Sequence, residues 1–396
     1  MVNTPYEHRM MPLANHDEQS LQDYVLSLKV HMEDHVYPGD DLVYAKKTLP
    51  EFKRKNGRAP IDRHEVRKAM HDEPYTQMWS SIARSMQEML WDNVGECVER
   101  QLPELIEKAR SVPRPEGSLT LNPDLEIPNY VAAVDIHCMP GNYHTEITDD
   151  DVFAGALYDR GAYYYVMGLM GGSAYDMEDG PSHMFMEAQS RSVISYVQEQ
   201  RPDLRPKRIL DMGCTLGGSS LAYVDEFPGA EVYAIDVAAP QLRYGHARAE
   251  ALGKKIHFSQ QNAEHTNFPD GYFDLVVTHG VLHETSRKAI RNIMKEAYRL
   301  LGPGGITMHA DLQFFHALTP HHACYHDWDT HNNNEPFWGT FRDMDPTDLL
   351  VTAGFNPLTA SAVWMTLGPQ GIAFQPVNDQ ESVSDRGIIF GASKTQ

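Results

Sequence analysis

Basic residues are scarce in this chain of 396 residues. The sequence has 34 Lys and Arg against 55 Asp and Glu, which gives a formal net charge of −21 at pH 7. A field of that sign repels the phosphates of nucleic acids and anionic lipid surfaces. We therefore expect neither a nucleic acid nor a membrane as a partner.

Cysteines and long apolar runs are also scarce. The four cysteines are spread along the chain without a CxxC pair, at Cys97, Cys138, Cys214 and Cys324. Neither a disulfide framework nor a Cys-rich zinc site is indicated. No apolar run approaches the roughly 18 residues that cross a bilayer, and the N-terminal segment lacks the apolar core of a signal peptide. The expected location is cytoplasmic.

The first half of the chain, residues 1–200, has mainly helical patterning. Asp62 and Glu65 resemble a capping box, and an apolar stripe at helical spacing runs from Met78 to Leu90. Further helices are expected near residues 150–170 and 182–200, while VAAVDIHC at 131–138 is compatible with a short strand. We interpret this region as a substrate lid, a dimerisation surface or both, so that a homodimer is one expected assembly.

The second half, residues 201–396, alternates short apolar runs with helical segments, a pattern typical of βαβ units. Seven strands are predicted, at RILDM, EVYAID, KIHFSQ, FDLVVTH, ITMHADL, SAVWMT and GIIFGAS. The last two lack room for a crossover helix and are expected to form an antiparallel hairpin at the sheet edge. The predicted fold is α/β, with a doubly wound, mostly parallel, seven-stranded Rossmann-like sheet behind a mainly helical N-terminal region.

A glycine-rich turn follows the first of these strands, in the sequence ILDMGCTLGGS at residues 209–219. Glycines let the backbone approach a ligand closely, and the helix that follows offers unpaired N–H donors. The next strand ends at Asp236, where a carboxylate could accept both hydroxyls of a ribose. The two features together indicate a nucleotide-like ligand.

Four segments, ILDMGCTLGG, VYAID, QNAEHTNFPDGYFDLVVTHGVLHET and AYRLLGPGGITM, together resemble the class I S-adenosylmethionine-dependent methyltransferases. The resemblance covers about residues 205–396. It implies S-adenosylmethionine as cofactor and S-adenosylhomocysteine as product. The cofactor-binding residues that it implies are Asp211, Gly213, Cys214 and Gly217 on the methionine side, Asp236 at the ribose, and Asn262 and Ala263 at the adenine.

Two positions depart from the pattern of that family. Thr215 stands where glycine is usual, so the turn must accept a β-branched side chain. Asn262 replaces the usual aspartate, although its amide oxygen can still accept a hydrogen bond from the adenine amino group. A dehydrogenase would share the turn and the ribose acid, but the turn does not spell GxGxxG. A noncatalytic cofactor-binding subunit also remains open.

Candidate catalytic residues lie in the segment THGVLHE, because ligands of such sheets bind beyond the carboxyl ends of the strands. His279 and His283 are the candidate general bases, and Glu284 could orient one of the rings. The alternative is structural: His283 would bond a loop carbonyl, and His279 would line the cofactor pocket. Tyr165, at the end of a tyrosine run, could close over the cofactor because aromatic faces attract a sulfonium cation.

A second polar cluster extends from His309 to His331, followed by aromatic and amide side chains up to Trp338. A divalent ion is conceivable there, but no HExxH or comparable signature is present, so the sequence predicts no metal ligands. Enclosure of substrate or cofactor, or plain packing, are the other interpretations. The overall expectation is methyl transfer to a small molecule, with a protein acceptor or a noncatalytic cofactor-binding subunit as alternatives.

Overall fold

The structure is a computed structural model that describes residues 8–113, 115–170, 184–368, 371–377 and 387–395. Its N-terminal part is helical, as predicted. The α-helices up to residue 200 are α1 (His16–His31), α2 (Tyr37–Val43), α3 (Leu49–Asn56), α4 (Arg63–Met70), α5 (Pro74–Glu99), α6 (Leu102–Arg110), α7 (Asn129–Ala132), α8 (Phe153–Met170) and α9 (Met184–Gln200). Two π-helical turns, Met32–Val36 and Tyr44–Thr48, join α1 to α3 into one nearly continuous helical run.

Local sequence signals account for several of these helices. The Asp62 carboxylate accepts a hydrogen bond from the Glu65 N–H at 2.9 Å, so the predicted cap opens α4. Helix α5 starts at Pro74 and buries Trp79 and Leu90, whereas Met78 lies outside the buried face and is 42% exposed. The apolar stripe is therefore confirmed except at its first residue.

The prediction of a strand at 131–138 is wrong. Residues of this stretch form the end of α7 and a 3₁₀ turn, Ile136–Cys138. His137 and Cys138 adopt left-handed backbone conformations, with φ of 59° and 58°, which no strand accommodates. This turn carries His137 into the interior of the protein, where the side chain is buried.

One nine-stranded sheet organises the rest of the chain, in the order β1-β4-β3-β2-β5-β6-β9-β7-β8. The strands are β1 (Ser118–Thr120), β2 (Arg208–Met212), β3 (Glu231–Asp236), β4 (His257–Gln260), β5 (Phe273–His279), β6 (Leu301–Asp311), β7 (Ser361–Gly368), β8 (Gly371–Pro376) and β9 (Gly387–Ser393). Strands β1 to β6 pair in parallel, and β9, β7 and β8 are added antiparallel. All seven predicted strands are present, with β1 and β8 in addition.

The hairpin at the sheet edge is formed by a different pair of strands from the predicted pair. Strand β7 forms its hairpin with β8, which the sequence analysis missed, and β9 returns between β6 and β7. Strand β8 is bounded by Gly371 and Pro376, residues disfavoured in strands, and this explains why it was overlooked.

Helices cover both faces of the sheet. They are α10 (Gly218–Glu226), α11 (Ala239–Ala251), α12 (Arg287–Leu300), α13 (Pro320–Asn332), α14 (Trp338–Arg342) and α15 (Pro346–Ala353). Successive residues of β2 alternate between the two cores, since Ile209 packs in one with α9 and α10 and Leu210 in the other with α12. None of the described helices has the length and hydropathy needed to cross a membrane.

The first 200 residues share buried surface with the sheet. Strand β1 adds to its edge beside β4, and Val193 of α9 belongs to one of the sheet cores. Helix α8 packs so closely on α11 that a Cβ on Gly155 would lie 2.4 Å from the Cβ of Tyr244. The N-terminal region is therefore positioned to contribute residues to a site at the sheet, while the division into domains near residue 200 stays a prediction.

Candidate active site

The glycine-rich turn joins β2 to α10 in the conformation that its glycines permit. Gly213 and Gly217 have φ of 73° and 76°, and a Cβ on Gly213 would lie 2.6 Å from Cγ2 of Val281. Thr215 is also left-handed, with φ of 48°, so the turn does accept a β-branched residue at this departure from the family pattern. Its N–H donates to Asp236 at 2.9 Å, which ties the turn to the end of β3.

Asp211, in β2, lies beneath this turn and is fully buried. One carboxylate oxygen accepts hydrogen bonds from the hydroxyls of Ser219 and Ser220 at 2.5 and 2.6 Å, at the start of α10. The other oxygen has no hydrogen-bond partner. Burial raises the pKa of Asp211 to about 6, although the two hydroxyls oppose that rise. The carboxyl therefore both orders the first turn of α10 and keeps a free oxygen.

Asp236 ends β3 with its carboxylate held in place by the backbone. One oxygen accepts from the Thr215 N–H and the other from the Ala238 N–H, both at 2.9 Å. Burial raises the pKa of this carboxyl, and the backbone donors act in the opposite direction. Each oxygen keeps a lone pair, so the group can still accept two ribose hydroxyls.

The other residues proposed to bind the cofactor differ in how much of each residue a ligand could contact. The Asn262 side-chain oxygen already accepts from the Glu264 N–H at 2.8 Å, which leaves one lone pair for an adenine amino group. Ala263 is half-buried against the core under α12. The Cys214 side chain lies in the other core, and burial raises its thiol pKa well above the usual value. Cys214 can therefore reach a ligand only through its backbone.

His279, at the end of β5, faces the helix that follows the glycine-rich turn. Its Nε2 lies 3.0 Å from the Tyr223 hydroxyl, and its buried Nδ1 has no hydrogen-bond partner. Burial lowers the pKa of His279 to about 3, so the ring is neutral near pH 7. A group with that pKa is a weak general base, and the position favours a wall of the cofactor pocket.

His283 lies between two carboxylates and not against a loop carbonyl. Its Nδ1 is 2.6 Å from Asp311, and its Nε2 is 3.1 Å from Oε1 of Glu284. Burial alone would lower the pKa of His283, but the two carboxylates raise it to about 10. With both ring nitrogens committed, His283 has no free lone pair for a substrate proton, which is at odds with the predicted role as general base.

Glu284 also contacts a residue from the N-terminal region. The same Oε1 lies 3.1 Å from Nε2 of His137, and Nδ1 of His137 lies 2.5 Å from Oε1 of Glu335. Burial would raise the pKa of Glu284, but His137 and His283 lower it to about 2. We call His137, His283, Glu284, Glu335 and Asp311 the His–carboxylate cluster.

Other contacts hold His137 in this cluster. Its carbonyl accepts hydrogen bonds from the side chains of Gln87 and Trp91 on α5, at 2.9 and 2.6 Å, and its N–H donates to Glu335 at 3.1 Å. Helix α5 and the segment after α13 therefore fix the position of a turn that has little regular structure of its own. Burial alone would lower the pKa of His137, whereas Glu335 and Glu284 raise it well above its usual value.

Aromatic rings surround the His137 side of the cluster. The ring centroid of Tyr165 is 5.3 Å from that of His137, and those of Tyr143 and Trp338 are 6.2 and 6.5 Å away. Tyr165 therefore separates from the rest of its run, because Tyr163 and Tyr164 are buried in the core of the helical region. The ring of Tyr165 is placed to line a site next to Glu284.

The polar residues from His309 to His331 do not form one site. His309 is buried in the sheet between the hydroxyls of Thr278 and Thr307, and Asp311 belongs to His283. His321 and His322 group with Asp41 instead, at a partly exposed position. The aromatic stretch that follows divides in the same way: Trp328 donates to Ser80 on α5, while Glu335 and Trp338 face His137.

Sequence reasoning missed His137 and Glu335 as site residues. His137 lies in a stretch interpreted as a strand, and Glu335 lies in the stretch of aromatic and amide side chains before Trp338, where nothing distinguishes it. The flanking Pro128 and Pro140-Gly141 argue against a strand at 131–138. No local pattern, however, pairs residue 137 with residues 284 and 335.

Comparisons with known proteins find methyltransferases. A family model described as "Methyltransferase domain" matches residues 209–305. A demethylmenaquinone methyltransferase of Thermus thermophilus is 38% identical over 106 residues, which are 25% of this chain and 44% of that protein. A probable tocopherol O-methyltransferase of rice, Oryza sativa subsp. japonica, is 34% identical over 102 residues, 25% of this chain and 27% of that protein. The chain thus spans less than half of the length of these relatives.

Among solved structures, a Haemonchus contortus phosphoethanolamine N-methyltransferase 2, in complex with phosphomonomethylethanolamine and S-adenosylhomocysteine, is 14% identical to this chain. The alignment covers 52% of this chain and 53% of that one, with a TM-score of 0.39. The family-model match includes the strands and the turn that carry Asp211, Gly213 and Asp236. Residues 209–305 thus match a methyltransferase domain, and the chain resembles the class I S-adenosylmethionine-dependent methyltransferases.

Proposed function

We propose that this protein transfers the methyl group of S-adenosylmethionine to a small-molecule acceptor bound beside the His–carboxylate cluster. The observation that carries the proposal is the meeting of His137, from the N-terminal region, with Glu284, just beyond the end of β5. Val281 packs against Gly213 and lies in the same segment as Glu284, so the cluster adjoins the glycine-rich turn. A molecule between them would contact both the cofactor and the N-terminal region.

The residues at the turn suit S-adenosylmethionine. Asp236 offers lone pairs for the ribose, and the unpartnered oxygen of Asp211 lies on the methionine side. The cofactor supplies an electrophilic methyl group. The protein's part is to align the acceptor atom with that group and to exclude water, for which Tyr165 and Trp338 are well placed.

The small-molecule class is supported by charge and enclosure. A net charge of −21 disfavours nucleic acids, and the rings of Tyr143, Tyr165 and Trp338 surround a buried histidine, which favours a small enclosed acceptor over a polypeptide. The two relatives are named for demethylmenaquinone and tocopherol, both small molecules. A cytoplasmic homodimer belongs to the same proposal and is tested by fractionation and light scattering.

The roles of the candidate catalytic residues follow from their contacts. His279 would line the cofactor pocket, and His283, bound on both sides by carboxylates, would act as a positioning residue for Glu284. This replaces the general base expected at either histidine. A His279→Gln variant should then change cofactor affinity more than the pH dependence of kcat, whereas a general base at His279 would reverse that result.

The test is a screen of small-molecule acceptors that measures the formation of S-adenosylhomocysteine. Turnover with at least one small molecule, lost in the Asp236→Ala variant, is the expected result. Methylation of protein substrates alone would contradict the acceptor class. Tight cofactor binding without turnover on any acceptor would favour a noncatalytic cofactor-binding subunit.

A further inference from the structure

The two imidazoles of the His–carboxylate cluster have matching surroundings. Nδ1 of His137 lies 2.5 Å from Glu335, and Nδ1 of His283 lies 2.6 Å from Asp311. The Nε2 atoms of both rings lie 3.1 Å from one oxygen, Oε1 of Glu284. Each ring thus has its own carboxylate at Nδ1, and the two rings share a third carboxylate at Nε2.

This arrangement leaves buried oxygen atoms without hydrogen bonds. Oε2 of Glu284 and Oε2 of Glu335 have no hydrogen-bond partner, and Oε1 of Glu284 has its two 3.1 Å ion-pair contacts but no contact with hydrogen-bond geometry. Glu335 is 3% exposed, so water does not readily take their place. Buried polar atoms are nearly always paired, because leaving one unpaired costs free energy. Unpaired carboxylate oxygens that converge on two imidazoles indicate a missing positive group.

We propose that His137, Glu284 and Glu335 bind a divalent first-row transition metal ion, and that His283, itself held by Asp311, positions Glu284. The imidazole among these donors favours such ions over Mg²⁺ or Ca²⁺, which prefer oxygen donors alone. Carboxylates that bind a metal are usually held by further polar groups, the position that His283 occupies beside Glu284.

Distances within the cluster suit a metal centre. One donor atom each from His137, Glu284 and Glu335 lie within 4.8 Å of one another, so these three side chains can reach the same ion. The donors come from three separate segments, so no HExxH-like spacing marks them in the sequence. For this reason the sequence predicted no metal ligands.

The site adjoins the cofactor turn, since Val281 contacts Gly213 two residues before His283. An ion there would coordinate an oxygen of the acceptor and hold it near the methyl group, which selects small molecules with a hydroxyl or carboxylate oxygen. This role in acceptor binding depends on the proposed function. Binding of the ion itself does not, and it can be measured without turnover.

The chain also offers an internal control. Asp41, His321 and His322 form a second group with ligand atoms within 4.8 Å of one another, but Asp41 is exposed. His321 Nδ1 lies 3.3 Å from Asp41, and its ring stacks on Tyr44. A surface ion bound there would be lost in His321→Gln and unaffected by changes at Glu284.

The experiment is calorimetric titration of the chelator-treated full-length protein with Mn²⁺, Co²⁺ and Zn²⁺, together with the metal content of the protein as purified. We expect one ion per chain. Glu284→Gln and Glu335→Gln each remove an anionic ligand, so each should weaken binding by more than the roughly 10–100-fold typical of a group outside the ligand set. His321→Gln should leave the affinity unchanged.

Several outcomes would overturn the proposal. One is the absence of binding of all three ions to the wild-type protein, and another is binding that Glu284→Gln preserves and His321→Gln removes. Affinity for S-adenosylmethionine, measured in each variant, confirms that the chain is folded. If Glu284→Gln does not fold, the Co²⁺ absorption spectrum of the wild type decides, because it distinguishes imidazole ligands from an all-oxygen site. If the wild-type protein binds the ion but does not bind S-adenosylmethionine, the proposed function is contradicted and the metal site is not.

Discussion

Nε2 of His137 lies 3.1 Å from Oε1 of Glu284, although the two residues come from opposite halves of the chain. The contact makes the N-terminal region part of the site at the sheet. It also places the turn at Ile136–Cys138, with its left-handed residues, in direct contact with the 3₁₀ turn Leu282–Glu284 that follows β5. Substitutions at Gly213, Asp236, Asp211 and His137 are each expected to have a measurable effect.

Asp236→Ala should weaken binding of S-adenosylmethionine by about tenfold or more. Hydrogen bonds to a charged group contribute about 1.5–3 kcal/mol each, and the carboxylate is expected to accept two ribose hydroxyls. Calorimetry measures the affinity directly. Asp225→Asn is a suitable control, because Asp225 lies near the end of α10 that is remote from the glycine-rich turn. Equal affinity in Asp236→Ala and wild type would remove the cofactor assignment.

Gly213→Ala should reduce cofactor affinity. The added Cβ, in the glycine-rich turn, would lie 2.6 Å from the side chain of Val281 and would displace the turn. Gly253→Ala is the matched control: its φ of 67° resembles the 73° of Gly213, but nothing lies within 4 Å of its Cβ. Both variants incur about 1–2 kcal/mol of left-handed backbone strain, so both should unfold at lower denaturant concentration. Only Gly213→Ala should also lose cofactor binding, and equal cofactor affinities would disprove the steric argument.

Most of the fold could be predicted from the sequence, whereas much of the site could not. Strands such as Arg208–Met212 and Phe273–His279 are short apolar runs bounded by breaks, so local patterning predicts them, and the glycine-rich turn identifies the cofactor side. Strand β8 was missed because glycine and proline bound it.

The cluster could not be predicted in the same way. His283 and Glu284 stood out because they follow a strand end. Their function, however, depends on Asp311, His137 and Glu335, which are distant in sequence and meet only through the packing of α5, β6 and the segment after α13. A general base was therefore expected where the structure places an imidazole between carboxylates.

Asp211→Asn should change how stability depends on pH. The folded-state pKa, about 6, lies above the usual value of 3.8, so ionisation of Asp211 favours the unfolded state. The contribution of this group to the free energy of unfolding is full below about pH 4 and is lost as the pH rises towards 6. A shift of that size corresponds to about 3 kcal/mol.

Denaturant unfolding at pH 4 and at pH 7 measures this effect. Relative to wild type, Asp211→Asn should be more stable at pH 7 than at pH 4 by about 2–3 kcal/mol. The exposed Asp149→Asn variant should show no such difference. A pH-independent difference for Asp211→Asn would mean that the carboxyl is not perturbed by burial.

His137→Gln should lower turnover and leave affinity for S-adenosylmethionine nearly unchanged. The imidazole contacts Glu284 and Glu335 and, among the residues assigned to the cofactor, only the ring of Tyr165, so its loss should act mainly on acceptor positioning. A decrease of kcat by about 100-fold is expected where a positioned group is removed from the reacting site. His246→Gln on α11 is the control, and equal kcat values in the two variants would place the acceptor elsewhere.

A crystal structure of the protein with S-adenosylhomocysteine tests the central claim most directly. We predict that the ribose hydroxyls contact Asp236, that the methionine part lies along the turn at Gly213, and that the sulfur faces the space beside Glu284 and His137. A ribose bound away from Asp236, or a sulfur directed away from the His–carboxylate cluster, would contradict this account.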